Sequence, residues 1–142
     1  MSRIYFTLIS LLSLALLPAY AQTQSSSPQG AELYFITPED GAAVTSPITV
    51  KFGLRNMGVA PAGINVENTG HHHLLIDTVL PALNQPIPAD DKHVHFGKGQ
   101  TEATLNLAPG THTLRLLLGD HLHTPHNPPV MSEPITITVS TP

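Results

Sequence analysis

The hydrophobic positions of this chain fall into short runs separated by turn residues. Ile48, Val50, Phe52 and Leu54 alternate with other residues, as expected for a strand with one buried face. Six further short apolar runs are bounded by turn residues, mainly proline, glycine, asparagine and aspartate. The predicted strands are residues 33–36, 48–54, 72–77, 93–96, 103–107, 112–118 and 135–139. No segment after residue 30 shows the spacing of an amphipathic helix.

This strand pattern predicts an all-β fold. The 14 prolines and 10 glycines among 142 residues also disfavour long helices. About seven short strands at this spacing are typical of a single immunoglobulin-like antiparallel β-sandwich, which we assign to residues 31–142. The Ser/Gln/Pro-rich segment 22–30 is predicted to be a disordered linker.

The first 21 residues have the pattern of a secretory signal peptide. A short basic start is followed by an apolar run from Ile4 to Leu17 and by small residues before Gln22. Cleavage is predicted between Ala21 and Gln22, which places the mature protein in the periplasm of a Gram-negative type of cell. The apolar run is shorter than the ~20 residues that cross a bilayer, so no membrane span is expected after cleavage.

Charge and cysteine content exclude several classes of function. A formal net charge of −4 argues against a nucleic-acid partner, because phosphate binding needs clustered Lys and Arg. The absence of cysteine excludes disulfides, thiolate metal sites and a cysteine nucleophile. It also excludes a blue-copper site of the usual type, which contains a cysteine ligand.

All nine histidines lie between positions 71 and 126, and six of them form His-x-His pairs. Residues i and i+2 of a strand point to the same face, roughly 7 Å apart along the chain. Two such imidazoles can therefore converge on one ion. The predicted metal ligands are His71, His73, His93, His95, His121, His123 and His126. Because imidazole suits copper, zinc and nickel, we expect copper or zinc as the bound ion.

Other polar residues are candidates for orienting these ligands through hydrogen bonds. They are His72, His112, Asp77 and Asp120. The alternation leaves open whether His71 and His73 face the core or a groove, because Leu74 and Leu75 are both apolar. For His112, a hydrogen-bonded position at a strand end is the alternative to a role at the metal.

Several motifs between Tyr34 and Val139 carry a family resemblance. They include Phe35-Ile36-Thr37-Pro38, the run from Gly70 to Asp77, and the run from Leu107 to Leu114. On these motifs the chain resembles the domain of unknown function 4399 family of exported bacterial proteins. The resemblance implies an exported small β-domain that includes the histidines above, and it brings no established activity.

A more distant similarity is to exported copper-binding immunoglobulin-like domains. Some of those domains begin with a ligating histidine, whereas the predicted mature chain begins with Gln22. A metal site at the N-terminus is therefore not expected.

These observations predict an exported protein that binds, stores or delivers copper or zinc without catalysis. Its partners would be the metal ion and another periplasmic protein. A second hypothesis is a structural or interaction module whose histidines form a hydrogen-bond network. A third is a small zinc hydrolase, which would need an open metal position and a general base. The sequence selects no residue as that base.

Overall fold

The computed structural model describes residues 24–141, and this part of the chain contains nine β strands and no helix. The strands are β1 (Glu32–Thr37), β2 (Ala43–Thr45), β3 (Ile48–Arg55), β4 (Gly58–Val59), β5 (Thr69–Ile76), β6 (His93–His95), β7 (Glu102–Leu105), β8 (Gly110–Gly119) and β9 (Ile135–Ser140). The predicted signal peptide and its cleavage site lie outside the described residues. Within residues 24–141, no helix has the length and apolar character needed to cross a membrane.

The strands form two sheets. One has the order β1-β3-β7, and the other has the order β2-β9-β8-β5-β4, with β6 also paired to β5. The predicted all-β, immunoglobulin-like sandwich is confirmed, and each of the seven predicted strands is present within two or three residues of its predicted ends. The structure adds β2 and β4, which are too short to show an alternating pattern.

The core lies between the two sheets. Side chains of β3 pack here against side chains of β5 and β8. These residues are Val50, Phe52, Leu74, Leu114 and Leu116, and each is at most 4% exposed. Burial of such side chains contributes roughly 1.5–3 kcal/mol each, so this layer supplies most of the stability.

The outer face of β5 is also covered. Leu75 and Leu117 project from this face and pack with Ile87, which comes from the proline-rich segment between β5 and β6. We call this group the outer apolar cluster. Strand β5 is therefore buried on both faces, and its outward side chains lie under loops rather than in solvent.

Residues 24–30 differ from the predicted disordered linker. Ser26 forms a parallel bridge to Asn127, and the amide of Asn127 donates to the carbonyl of Ser25 over 2.9 Å. Gln24 donates to the carbonyls of Leu83 and Pro125. The polar composition suggested disorder, but these side chains satisfy loop carbonyls that the strands leave free.

Candidate metal centre

Four histidine rings gather on the outer face of the second sheet. They belong to His71, His73, His95 and His123, and we call them the histidine cluster. Their six ring-centroid distances run from 4.7 Å to 6.1 Å. The four imidazoles are therefore in mutual contact.

Strand register brings three of these rings together. His71 and His73 point to the same face of β5, two residues apart. His95 of β6 is directly opposite His73, and Gly119 of β8 is directly opposite His71. Paired residues of an antiparallel sheet project to the same face, so His95 joins the β5 histidines.

Two glycines leave room for the rings. A Cβ atom at Gly97 would overlap the ring of His95, and one at Gly119 would lie 2.7 Å from Cε1 of His73. Real Cβ atoms do not approach other atoms so closely. The absence of a side chain at these two positions is what lets the rings of His95 and His73 occupy their places.

The fourth ring comes from the loop that follows β8. His123 has a φ of 67°, in the left-handed region that His, Asn and Asp adopt more often than other non-glycine residues. Its amide donates to the carbonyl of Asp120 over 2.9 Å. The Asp120 carboxylate accepts from the amides of Leu122 and Thr124. This tight loop aims His123 back at the sheet.

Asp120 is 3% exposed and is held ionised by its neighbours. Burial alone would raise the pKa of Asp120, but hydrogen bonds from the Ser25 hydroxyl and the Leu122 and Thr124 amides outweigh burial and lower it. The negative charge in turn favours positive charge at His71. A cation placed in the cluster would gain from the same charge.

Within residues 24–141, three buried ring nitrogens of the two β5 cluster histidines have no hydrogen-bond partner. His71 is 0% exposed, and neither of its ring nitrogens has a partner. The same is true of Nδ1 of His73. Burial, followed by repulsion from the neighbouring histidines, lowers the pKa of His71 to about 4 and that of His73 to about 3. Both rings are therefore neutral near pH 7, with lone pairs free to bind a metal.

Three members of the cluster hold their ring nitrogens close together. His71, His95 and His123 each offer a ring nitrogen, and these nitrogens lie within 4.8 Å of one another. His71 is buried, His123 is partly buried and His95 is exposed. Burial and the charge of His123 lower the pKa of His95. The site thus runs from a buried end at His71 to an open end at His95. The ring of His73 contacts the rings of His71 and His95 but lies farther, 6.1 Å, from that of His123.

Two histidines that were predicted to bind the metal or to orient its ligands are hydrogen-bonded to carboxylates instead. Nδ1–H of His93 donates to Asp90 over 2.8 Å, although His93 lies on the same strand face as His95. Nδ1–H of His112 donates to Asp77 over 2.7 Å, and its Nε2–H donates to the carbonyl of Ala108. The structure therefore places His93, His112 and Asp77 outside the histidine cluster.

The remaining predicted residues also lie elsewhere. His72 projects into the core, with its ring 5.1 Å from that of Phe52. His121 and His126 line a separate cavity of about 230 Å³. Nε2–H of His126 donates to the carbonyl of Thr69 over 3.1 Å. Asp120 acts on the loop backbone, so it orients His123 through the chain rather than by a bond to its ring.

Sequence reasoning missed three contributors to this geometry. They are Gly97, Gly119 and Ser25, of which Ser25 donates to Asp120 over 2.7 Å. A signal for Gly97 was present, since a glycine two residues after a strand histidine shares its face. Ser25 had no such signal, because its partner is far away in the chain.

Comparisons with known proteins give a family and two distant structural likenesses. Residues 50–140 match the family described as Domain of unknown function (DUF4399). No curated protein matches the sequence. An endo-beta-1,4-mannanase from Thermotoga petrophila aligns with 16% identity and a TM-score of 0.48, over 80% of this chain and 20% of that one. The fibronectin(III)-like modules of Clostridium thermocellum CbhA align with 8% identity and a TM-score of 0.43, over 78% of this chain and 46% of that one. The chain thus spans less than half the length of either structure.

Proposed function

The chain belongs to the DUF4399 family, and we propose that it binds one copper or zinc ion in the histidine cluster. We further propose that it holds or delivers this ion in the periplasm and does not catalyse a reaction. His71, His95 and His123 would bind the ion, and His73 would serve as a fourth ligand.

The observation that carries this proposal is the environment of His71. Both of its ring nitrogens are buried without a partner among residues 24–141, and three other imidazoles contact its ring. A buried polar group without a hydrogen bond costs about 1–3 kcal/mol. A leucine would avoid that cost. A metal ion would give the lone pair of His71 a partner. The ring nitrogens of His72 are unpartnered too, but its ring packs on Phe52, whereas three imidazoles surround His71.

The same contacts argue against a hydrogen-bond network as the reason for the cluster. In such a network, N–H of one ring donates to the lone pair of another ring or to a carboxylate. His93 and His112 are bonded in this way, each to an aspartate. Both ring nitrogens of His71 and Nδ1 of His73 have no partner of this kind among residues 24–141. The network hypothesis therefore suits His93 and His112 and not the histidine cluster.

The exposure of the cluster favours exchange of the ion over permanent burial. His95 is exposed and occupies the open end of the site. An ion could enter or leave at this end without unfolding of the sandwich. This supports a role in holding an ion and passing it to another periplasmic protein. Export itself is proposed from the sequence pattern of residues 1–21.

A hydrolase is less well supported, because the carboxylate that acts on the site is already hydrogen-bonded. Asp120 is the carboxylate whose charge acts on His71. Its two oxygens already accept hydrogen bonds from Ser25, Leu122 and Thr124. A base must accept a proton from a metal-bound water, and Asp120 is not free to do so.

Metal titration of matched histidine variants tests the proposal. His123→Asn removes a ligand but keeps a residue that tolerates positive φ. His121→Asn is the control, since His121 lies on the same loop and outside the cluster. We expect wild-type protein 22–142, purified without nickel resin, to bind about one equivalent of Cu(II) or Zn(II) at micromolar or tighter affinity.

His123→Asn should weaken this binding at least about tenfold, and His121→Asn should leave it within about twofold. Wild-type affinity no tighter than millimolar would overturn the proposal. Equal weakening by both substitutions would overturn the assignment to this cluster.

A further inference from the structure

The N-terminal segment 24–27 lies along the loop that carries His123. The amide of Asn127 donates to the carbonyl of Ser25 over 2.9 Å, and Ser26 bridges Asn127. Ser27 Oγ–H donates to the carbonyl of Pro128 over 2.7 Å. The segment and the loop are thus joined by both backbone and side-chain bonds, although they are far apart in the sequence.

Ser25 completes the set of hydrogen bonds around Asp120. Its Oγ–H donates to Oδ2 over 2.7 Å, while Oδ1 accepts from the amides of Leu122 and Thr124. The carbonyl of Asp120 accepts from the amide of His123. Ser25 is therefore two contacts away from the backbone of a cluster histidine.

Gln24 joins two loop segments. Its Nε2–H₂ group donates to the carbonyl of Pro125 over 2.9 Å and also to the carbonyl of Leu83. Leu83 packs against the outer apolar cluster, which borders the histidines on the same sheet face. Gln24 thus fastens the His123 loop to the segment between β5 and β6.

From these contacts we infer that Gln24 and Ser25 form a clasp that sets the position of His123 for metal binding. This inference rests on the metal-binding function proposed above. Gln24 and Ser25 are positioning residues, because they act on the ion only through the loop. Docking of the clasp and binding of the ion are then coupled, and by linkage each strengthens the other.

Ser27 provides a matched control for a purely structural role. It belongs to the same segment and makes a hydrogen bond of the same length as Ser25. Its partner, the carbonyl of Pro128, is at the end of this loop that is far from Asp120 in the sequence. Loss of the Ser27 hydroxyl removes one contact of segment 24–27 but leaves the bonds of Gln24 and Ser25 in place.

The test compares Ser25→Ala, Ser25→Thr and Ser27→Ala in protein 22–142 loaded with Cu(II). We expect Ser25→Ala to weaken Cu(II) binding about tenfold and to change the electron paramagnetic resonance spectrum of the bound copper. Ser25→Thr keeps the hydroxyl and should restore both properties. Ser27→Ala should match wild type in affinity and spectrum.

Hydrogen exchange on the wild-type protein gives a second measurement that needs no variant. Cu(II) should slow exchange at the amide of Asn127, which bonds Ser25. It should leave unchanged the amide of Thr138, which bonds Ala42 in a distant part of the fold.

Two results together would overturn the clasp: Ser25→Ala binds copper as tightly as the wild-type protein, and copper gives the Asn127 amide no added protection. The proposed function would then still stand. A wild-type protein that binds no copper would overturn both.

Discussion

The ring of His71 lies 4.9 Å from the ring of His123, edge to face. His71 is fixed in a central strand, whereas His123 is carried by a loop. An ion bound to both rings would therefore cross-link the sheet and the loop. The predictions below concern this cross-link, the fit of the rings and the charge state of the buried histidines.

Metal binding should stabilise the folded protein by mass action. At a free ion concentration about 100 times Kd, binding contributes about 2.7 kcal/mol. For a domain of this size we expect Tm to rise by about 10 °C. Differential scanning calorimetry with Cu(II) or Zn(II), before and after chelation, measures this shift. His123→Asn should lose most of it. An unchanged Tm in wild-type protein would show that no ion bridges the loop and the sheet.

Gly97→Ala should reduce metal affinity without unfolding the protein. A methyl group at this position overlaps the ring of His95, which is exposed and can swing toward solvent. We expect an affinity at least about tenfold weaker and a Tm of the metal-free protein close to that of wild type.

Lys98→Ala is the control for this substitution, because Lys98 is an exposed neighbour in the same turn. Titration calorimetry of both variants is the measurement. If Gly97→Ala bound the ion as tightly as Lys98→Ala, His95 would not be a ligand.

The metal-free protein should lose stability in mild acid. Burial lowers the pKa of His71 and His72 to about 4 and that of His73 to about 3. The unfolded chain has values near 6.5, so it binds more protons than the folded protein below that pH. The stabilisation that comes from keeping these histidines neutral is fully present above about pH 6.5 and is lost as the pH falls toward 4. At pH 5, each buried histidine lowers the free energy of unfolding by up to about 2 kcal/mol relative to neutral pH.

Urea unfolding in the presence of a chelator, at pH 7.5 and pH 5.0, measures this loss. His72→Leu should make the loss smaller, because it removes a buried titrating group that faces Phe52 and not the cluster. Equal stability of the wild-type protein at the two pH values would show that the buried histidines are protonated at no cost.

The pair formed by His112 and Asp77 should have the opposite pH dependence. Bonds to the carbonyl of Ala108 and to Asp77 raise the pKa of His112. Burial would raise the pKa of Asp77, but bonds from the Thr113 amide and His112 lower it. The histidine contributes stability below pH 6.5 that is lost as the pH rises through its folded pKa. The aspartate contributes stability above pH 4 that is lost as the pH falls through the folded pKa of Asp77.

The stabilisation from this pair is therefore complete between about pH 4 and pH 6.5. His112→Gln should destabilise the protein most at pH 5.5 and less at pH 9, as judged by urea unfolding. Metal affinity should not change, because His112 lies at the far end of β8 from Gly119. If His112→Gln destabilised the protein equally at both pH values, the ion pair would contribute nothing to stability.

Much of the fold could be predicted because strand periodicity depends only on local pattern. The alternation from Ile48 to Leu54 identifies β3 and its buried face directly. Gly58–Val59 forms a strand only by pairing with Thr69 and Gly70, so its local sequence carries no such pattern. The same holds for residues 24–27, whose order depends on loop carbonyls near Pro125 and Asn127.

The site was only partly predictable, because β5 is covered on both faces. Leu74 and Leu75 are adjacent in β5 and face opposite sides of the sheet, and both are buried. Their sequence pattern therefore could not show which face His71 and His73 occupy. In the loop, no periodicity distinguishes His121 from His123. That choice depends on the backbone bonds to Asp120 and the positive φ of His123, which are properties of the folded chain.

The most direct test of the account is X-ray absorption at the metal edge, on protein 22–142 loaded with zinc and dialysed. We predict one ion per chain, a first shell of nitrogens near 2.0–2.1 Å, and outer-shell scattering from three or four imidazoles. A first shell of oxygens without imidazole scattering would contradict a metal centre at His71, His95 and His123.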